Sequence, residues 1–243
     1  MDNSSKNPQW WSNVISNTYD VENNVGILYV PEGKNIGNKS FQDVTSLLSI
    51  KIPDNMEGAI EYEAFSGCTG LKEVQIGNNI NAIQFNAFEN CTSLQSVIIP
   101  DCVTDFQNSA FKNCNRLKTV IIGEGVKEIQ SSTFKNCTSL ENIDIPDNVI
   151  RIGSEAFYNC ILLKNVKVGN GVINIESQAF NCCTNLTDLV LGDGILEIGS
   201  GAFAACRSLN SVNFPESVVV IGQSSFSFCD NLKRVFMSDS VTE

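Results

Sequence analysis

The chain has 243 residues, 42% of them hydrophobic, so it can bury a large core. It carries 27 Asp and Glu against 16 Lys and Arg, a formal net charge of −11, and a nucleic-acid partner is not expected because such affinity depends on clustered basic residues. No apolar run approaches the roughly 18 residues of a membrane span, and the first residues carry no secretion signal, so membrane insertion is not expected either.

The first 24 residues lie outside the pattern that organises the rest of the chain. They include Trp10 and Trp11, whose rings are expected to cover the first coil of a repeat domain as an N-terminal cap. A ligand-stacking role and a flexible segment are the alternatives. The predicted organisation is therefore a cap or flexible segment at 1–24, followed by one repeat domain at 25–243.

From residue 41 onwards the chain repeats itself. Phe recurs at intervals of 23, and Cys follows three residues after each Phe, with Leu at +6 and apolar residues at +9 and +11. These phenylalanines are Phe65, Phe88, Phe111, Phe134, Phe157, Phe180, Phe203 and Phe226. Phe41 opens one further copy, with an interval of 24 and with Val44 in place of the Cys. Positions are numbered below from the Phe of each of these nine repeats.

Each repeat has the pattern of two strands and two turns. Apolar residues at +9 and +11 alternate with polar ones, which indicates a half-buried strand. Gly or Pro at +12, such as Pro146, predicts a turn, and the pair Val149 and Ile152 predicts a second short strand. The spacing of Ala-Phe-x-x-Cys predicts a short helical turn. A unit this small cannot bury its apolar face alone, so the pattern predicts a curved repeat solenoid with a parallel β-sheet along one face.

At this point the frame resembles a known family. It reads L-x-x-V-x-I-P-x-x-V-x-x-I-G-x-x-A-F-x-x-C, carried here by Leu140, Ile143, Ile145, Pro146, Val149, Ile152, Gly153, Ala156, Phe157 and Cys160. This is similar to the BspA-like (treponemal-type) leucine-rich repeat over about residues 41 to 243. The resemblance implies a leucine-rich-repeat stack without a shared catalytic motif, and a microbial or protist cell-surface protein that acts in adhesion or host-protein binding.

Ten cysteines raise the possibilities of a disulfide framework or a metal site. Equivalent side chains in a stack run parallel, and Val44 fills the same position, so buried free thiols are favoured. No metal site or cofactor is expected, because the chain has no His and no C-x-x-C pair. Cys102 lies in the turn "PDCV", where it is expected to be exposed, either as a chance substitution or as a reactive thiol.

The candidate binding surface is the solvent side of the main sheet. Because +9 and +11 point inward, +8 and +10 are expected to point outward. The candidate residues at +10 are Ile98, Ile121, Asp144, Lys167, Val190 and Phe236. Ile98 and Ile121 belong to neighbouring coils, so they are expected to form one exposed apolar patch. The alternative is that β-branched residues simply favour strands.

Neither paired carboxylates at constant spacing nor a phosphate-binding loop occurs, so an enzyme is not expected. The predicted function is a protein-protein interaction module that binds an unidentified protein ligand through the solenoid face. The alternative is a structural or assembly element. The last copy, "LKRVFMSDSVTE", stops before its second strand, which predicts either a segment of a longer solenoid or an end that self-associates.

Overall fold

The computed structural model describes residues 16–20, 25–29, 35–237 and 241, and it shows a solenoid of stacked coils. The predicted repeat solenoid is confirmed. The strands are β1 Ser16–Asp20, β2 Val25–Tyr29, β3 Ser49–Lys51, β4 Gly58–Ile60, β5 Glu73–Gln75, β6 Ile80–Ile83, β7 Ser96–Ile99, β8 Asp105–Phe106, β9 Thr119–Ile122, β10 Glu128–Ile129, β11 Asn142–Ile145, β12 Arg151–Ile152, β13 Asn165–Val168, β14 Asn174–Ile175, β15 Asp188–Val190, β16 Glu197–Ile198, β17 Ser211–Asn213, β18 Val220–Ile221 and β19 Arg234–Phe236.

The strands form two rows along the solenoid. The main row carries three hydrogen-bonded sheets, ordered β1-β2-β3-β5-β7-β9, β11-β13-β15 and β17-β19. The second row carries β4-β6-β8 and β10-β12-β14-β16-β18. Pairing is parallel and in repeat register, as in Ile98 opposite Ile121, except that β1 runs antiparallel to β2. Within each sheet, every parallel strand therefore stacks on its equivalent in the neighbouring coil.

The hairpin of β1 and β2 precedes the first Phe-containing repeat. Gly26 of β2 pairs with Ile50 of β3, so this hairpin extends the main row by two strands. The boundary between residues 24 and 25 falls between β1 and β2. Trp10 and Trp11 lie outside the described residues, so the cap stays a prediction.

The core is a stack of phenylalanine rings. Neighbouring rings lie nearly parallel with centroids 5.0–5.3 Å apart, except for the pair Phe111 and Phe134 at 5.7 Å. Each stacked pair contributes about 0.5–1.5 kcal/mol beyond the burial of its area. The stack therefore supplies a repeated stabilising contact between coils.

The segment around each Phe is not the predicted helical turn. Consecutive β-turns replace it, with left-handed backbone two residues before and two residues after the Phe, as at Asn86 (φ 56°) and Asn90 (φ 61°) around Phe88. A right-handed helix cannot continue through left-handed residues. The Phe therefore sits in a tight turn from which its ring points into the core.

Asparagine side chains connect four of these turns at +2. The Nδ2 group of Asn113 donates to Oδ1 of Asn90 at 2.8 Å, Asn136 donates to Asn113 at 2.7 Å, and Asn159 donates to Asn136 at 3.0 Å. Asn tolerates left-handed backbone better than most residues, so one residue type satisfies both requirements. Cys182 takes the same position in the next coil, with φ 62°.

Two irregularities interrupt the repeat. The extra residue of the first, 24-residue copy is absorbed beside Gly58, where φ is 126° and the pairing of β4 with β6 shifts register. The second is Phe106, which occupies the +18 position where the following copies carry Ile. Its ring contacts Phe111 and Phe134 at 6.1 and 6.0 Å, and both strand rows are interrupted at this level, between β8 and β10 and between β9 and β11.

Candidate binding surface

The +10 residues do point to solvent on the main row. Strands β7 and β9 each read exposed, buried, exposed, buried. Ile98 is 59% exposed and Ile121 is 53% exposed, and the two are direct partners in the parallel pairing. The structure thus places the two isoleucines next to each other in one apolar patch.

The rest of the predicted stripe is divided between two further sheets. Asp144 pairs with Lys167, and Lys167 pairs with Val190, all within β11-β13-β15. Phe236 is exposed on β19, opposite Asn213. Because β9 is not hydrogen-bonded to β11, nor β15 to β17, the six residues do not share one continuous sheet.

Two grooves lie on this side of the main row, which we call the main-sheet face. The first has a volume of about 480 Å³. The residues that line it include Ser49, Lys51, Asp54, Glu73, Gln75, Asn78, Ser96, Ile98 and Pro100. The second is about 460 Å³, and its rim includes Thr119, Ile121, Glu124, Asn142, Asp144, Pro146, Asp147 and Lys167. Ile98 therefore borders one groove and Ile121 borders the other.

An acidic row of turn residues runs beside the grooves. It occupies +13, and its members are Asp54, Asn78, Asp101, Glu124, Asp147, Asn170, Asp193 and Glu216. The backbone N–H of one turn donates to the side chain of the previous turn, as from Asn78 to Asp54 at 2.8 Å and from Glu124 to Asp101 at 2.9 Å. These bonds use one carboxylate oxygen and fix the direction of the other.

Ion pairs connect the coils away from this acidic row. Arg151 binds Glu128 in the previous coil and Glu176 in the next, and it also donates to Gln130 at 2.8 Å. Hydrogen bonding to Glu128 raises the pKa of Arg151. Burial raises the pKa of Glu176, but hydrogen bonds from Arg151 and Ser154 outweigh burial, and the net effect lowers that pKa. This cluster ties three coils together.

The cysteines at +3 are buried in the core, apart from the half-buried Cys229. Each Sγ donates to the carbonyl oxygen of a Phe in the preceding coil, as from Cys160 to Phe134 at 3.3 Å. Burial raises the pKa of Cys160 to about 12. All ten cysteines are free thiols, and the described part of the chain contains no cluster of His, Cys, Asp or Glu that could hold a metal ion.

Cys102 is half-buried, so the expectation of an exposed side chain is wrong. Its Sγ donates to the carbonyl oxygen of Ile80 at 3.0 Å, and burial raises the pKa of the thiol. Ser217, at the same position of a later turn, donates in the same way to Ile195 at 2.6 Å. A raised pKa reduces the thiolate fraction at neutral pH. Reactivity of Cys102 stays a prediction.

Sequence reasoning missed a second exposed apolar row. It lies at +16, at the start of the second strand row, where four neighbouring coils expose between 37% and 45% of their side chains. These residues are Ile150, Ile173, Leu196 and Val219. The same position is polar in earlier copies, with Asn81, Thr104 and Lys127. Comparing +16 across the repeats would have revealed this change.

No helix of the described residues is long and apolar enough to span a membrane.

No sequence match was found among curated proteins. A leucine rich cell surface protein from Faecalibacterium prausnitzii A2-165 has a similar structure, with 24% identity and a TM-score of 0.52, over 85% of this chain and 70% of that one. A leucine rich repeat protein from T. pallidum has 23% identity and a TM-score of 0.53, over 83% of this chain and 89% of that one.

Both similarities concern the fold alone. Residues 34–162 and 127–243 match the family described as the BspA type Leucine rich repeat region (6 copies). The two ranges overlap and together cover most of the chain, including all nine Phe-containing repeats. The chain therefore belongs to the BspA-type leucine-rich repeat family.

Proposed function

We propose that the protein is a non-catalytic binding module that recognises a protein ligand through its main-sheet face. The observation that carries the proposal is the adjacent, half-exposed pair Ile98 and Ile121, each bordering a groove. Exposed apolar side chains beside concave polar surface are typical of recognition sites. The repeat family is generally one of protein-interaction modules, which agrees with this assignment.

The finer proposal is adhesion or host-protein binding at a cell surface. It is supported by the description of the F. prausnitzii relative as a cell surface protein. It is also supported by the repeat architecture, in which core positions hold the frame while outward positions vary from coil to coil.

The test compares two matched substitutions. A partner is first identified by cross-linking the intact chain in extracts of host cells and of the source organism. Its affinity is then measured for the wild type, Ile121→Asp and Ile173→Asp, because Ile173 is a comparably exposed isoleucine in the +16 row. Ile121→Asp is expected to cost at least about 1 kcal/mol of binding, as for a hot-spot residue. Ile173→Asp is expected to leave the affinity unchanged.

The two substitutions also show where the proposal fails. If only Ile173→Asp weakens binding, the partner uses the +16 row and the main-sheet assignment is wrong. If neither substitution changes the affinity of a folded protein, recognition lies on another surface.

A second candidate function is assembly through the last described coil. Phe228, Val235, Phe236 and Met237 are all exposed there. Strand β19 pairs only with β17 among the described strands, and a free strand edge can pair with another chain. Light scattering should then show concentration-dependent association that weakens when a polar coil is fused after Glu243. A monomer at all concentrations would rule this function out.

A further inference from the structure

We propose that the main-sheet face binds a cationic, extended protein segment with an apolar residue at its centre. This inference rests on the proposed function and adds the chemistry of the partner. Two features carry it: an excess of acidic groups over cations, and the central isoleucine pair.

The face and its turn row carry more negative than positive charge. From Lys51 to Lys167 they contain Asp54, Glu73, Asp101, Glu124, Asp144 and Asp147. Within the described part of the chain none of these six forms an ion pair, whereas the carboxylates that do are Glu63, Glu89, Glu128, Glu155, Glu176 and Asp230. Lys51 and Lys167 stand at opposite ends of this stretch, and Lys72, Lys118 and Lys164 precede its strands at +7. A partner that carries positive charge would therefore relieve repulsion along the middle of the face.

The isoleucine pair sets the centre of the bound segment. Ile98 and Ile121 are the third and fourth of six +10 positions between Lys51 and Lys167. Five steps of about 4.8 Å give roughly 24 Å, which an extended chain spans with about seven residues. Basic side chains on either side of the centre of such a heptapeptide would reach Asp101, Glu124 and Asp147, while an apolar residue in the middle would cover the isoleucines.

The acidic row is preorganised for such a partner. Asp101 and Asp147 each accept a hydrogen bond from the next turn, at 2.9 and 2.7 Å, which holds their carboxylates in place before binding. Asn170 occupies the same row and accepts the equivalent bond from Asp193 at 3.1 Å. Replacing Asp by Asn in this row therefore removes charge and keeps the bond.

The experiment starts from a library of random heptapeptides, so no ligand needs to be known in advance. Peptides that bind the immobilised full chain are selected and sequenced. The most enriched peptide is then titrated against the wild type and against the triple variant Asp101→Asn/Glu124→Gln/Asp147→Asn, which neutralises three residues of the acidic row and is called the trough variant below. A charge-matched control, Asp105→Asn/Glu197→Gln/Asp230→Asn, removes three charges elsewhere. We expect peptides with Lys or Arg on either side of an aliphatic centre, at least tenfold weaker binding by the trough variant, and a much smaller loss for the control.

The outcomes separate this inference from the proposed function. Enriched peptides that are acidic or neutral, or no enrichment at all, would overturn the cationic partner. If acidic or neutral peptides are enriched and lose affinity on Ile121→Asp, the main-sheet face remains the binding site. Equal losses from the trough variant and the control would mean a non-specific charge effect and would also overturn the inference. A dimer of the free protein that dissociates in the trough variant would identify a second copy as the occupant instead.

Discussion

The ring centroids of Phe111 and Phe134 are 5.7 Å apart, the widest separation in the phenylalanine stack. Phe106 contacts both rings at a steep angle, with interplanar angles of 54° and 56°. The next copy carries the smaller Ile129 at this position. The larger ring explains the wider step between coils, and at the same level hydrogen-bonded pairing stops in both strand rows.

Phe106→Ile is expected to close this step. A smaller side chain lets the two coils approach, so pairing between β9 and β11 can form. Hydrogen exchange measured by mass spectrometry should show slower exchange of Asn142–Ile145 in the variant, because hydrogen-bonded amides are protected. Asn165–Val168, which pairs with β11 and β15 in the wild type, serves as the internal control. Unchanged exchange of Asn142–Ile145 would show that Phe106 does not cause the interruption.

Adjacent residues on β9 give a test of the two sides of the main row. Val120 is buried and Ile121 is exposed. Val120→Asp places a carboxylate in the core and should cost more than about 3 kcal/mol of unfolding free energy, whereas Ile121→Asp should cost less than about 1 kcal/mol. Urea unfolding followed by circular dichroism measures both. Similar losses for the two variants would contradict the assignment of sides.

The asparagine row can be tested at its middle. Asn136→Ala removes two side-chain hydrogen bonds, to Asn113 and from Asn159, and places Ala at a φ of 62°. We expect a loss of about 2–3 kcal/mol, about 1 kcal/mol for each bond and the remainder for the left-handed backbone. Asn136→Gly removes the same bonds but tolerates this backbone, so it should be less destabilising in urea unfolding. If both variants are as stable as the wild type, the asparagine row does not contribute to the unfolding free energy.

The buried thiols predict a loss of stability at alkaline pH. Burial raises the pKa of Cys68 and Cys160 from 9.0 to about 12, so the folded thiol keeps a proton that the unfolded thiol has lost. This contribution is fully present below pH 9 and is lost as the pH rises from 9 to about 12. Each such thiol changes the unfolding free energy by up to about 1.4 kcal/mol per pH unit in that window.

The matched variant for this prediction is Cys137→Val. Val44 shows that the first coil accepts Val at this position, and burial raises the pKa of Cys137 as it does for its neighbours. Unfolding free energies are measured by urea titration under reducing conditions. They should fall less steeply with pH in the variant, because one fewer proton is released on unfolding. Identical slopes above pH 9 would mean that Cys137 does not titrate on unfolding.

The repeat could be predicted from the sequence because each core position recurs at a fixed interval. Phe157, Cys160 and Leu163 are all fully buried, as their spacing indicates. The outward direction of Ile98 and Ile121 followed from alternation alone. These features depend on residues that are close in sequence or one repeat apart.

The parts that could not be predicted depend on contacts and conformations that residue type does not encode. The effect of Phe106 requires its contact with Phe134, 28 residues away. The left-handed backbone occurs even at Glu155 and Phe228, which do not favour it, so a helical turn was the natural expectation for this segment. The half-burial of Cys102 depends on its bond to Ile80, which crosses between coils and leaves no trace in the local sequence.

The interruption beside Phe106 has a mechanical consequence. Pulling along the solenoid axis would load every junction between coils equally, and a junction without continuous strand pairing in either row offers the least resistance. A protein stretched between two attachment points would therefore yield first between β9 and β11. We expect single-molecule force traces to show two separate extension steps, one for the coils before this junction and one for the coils after it.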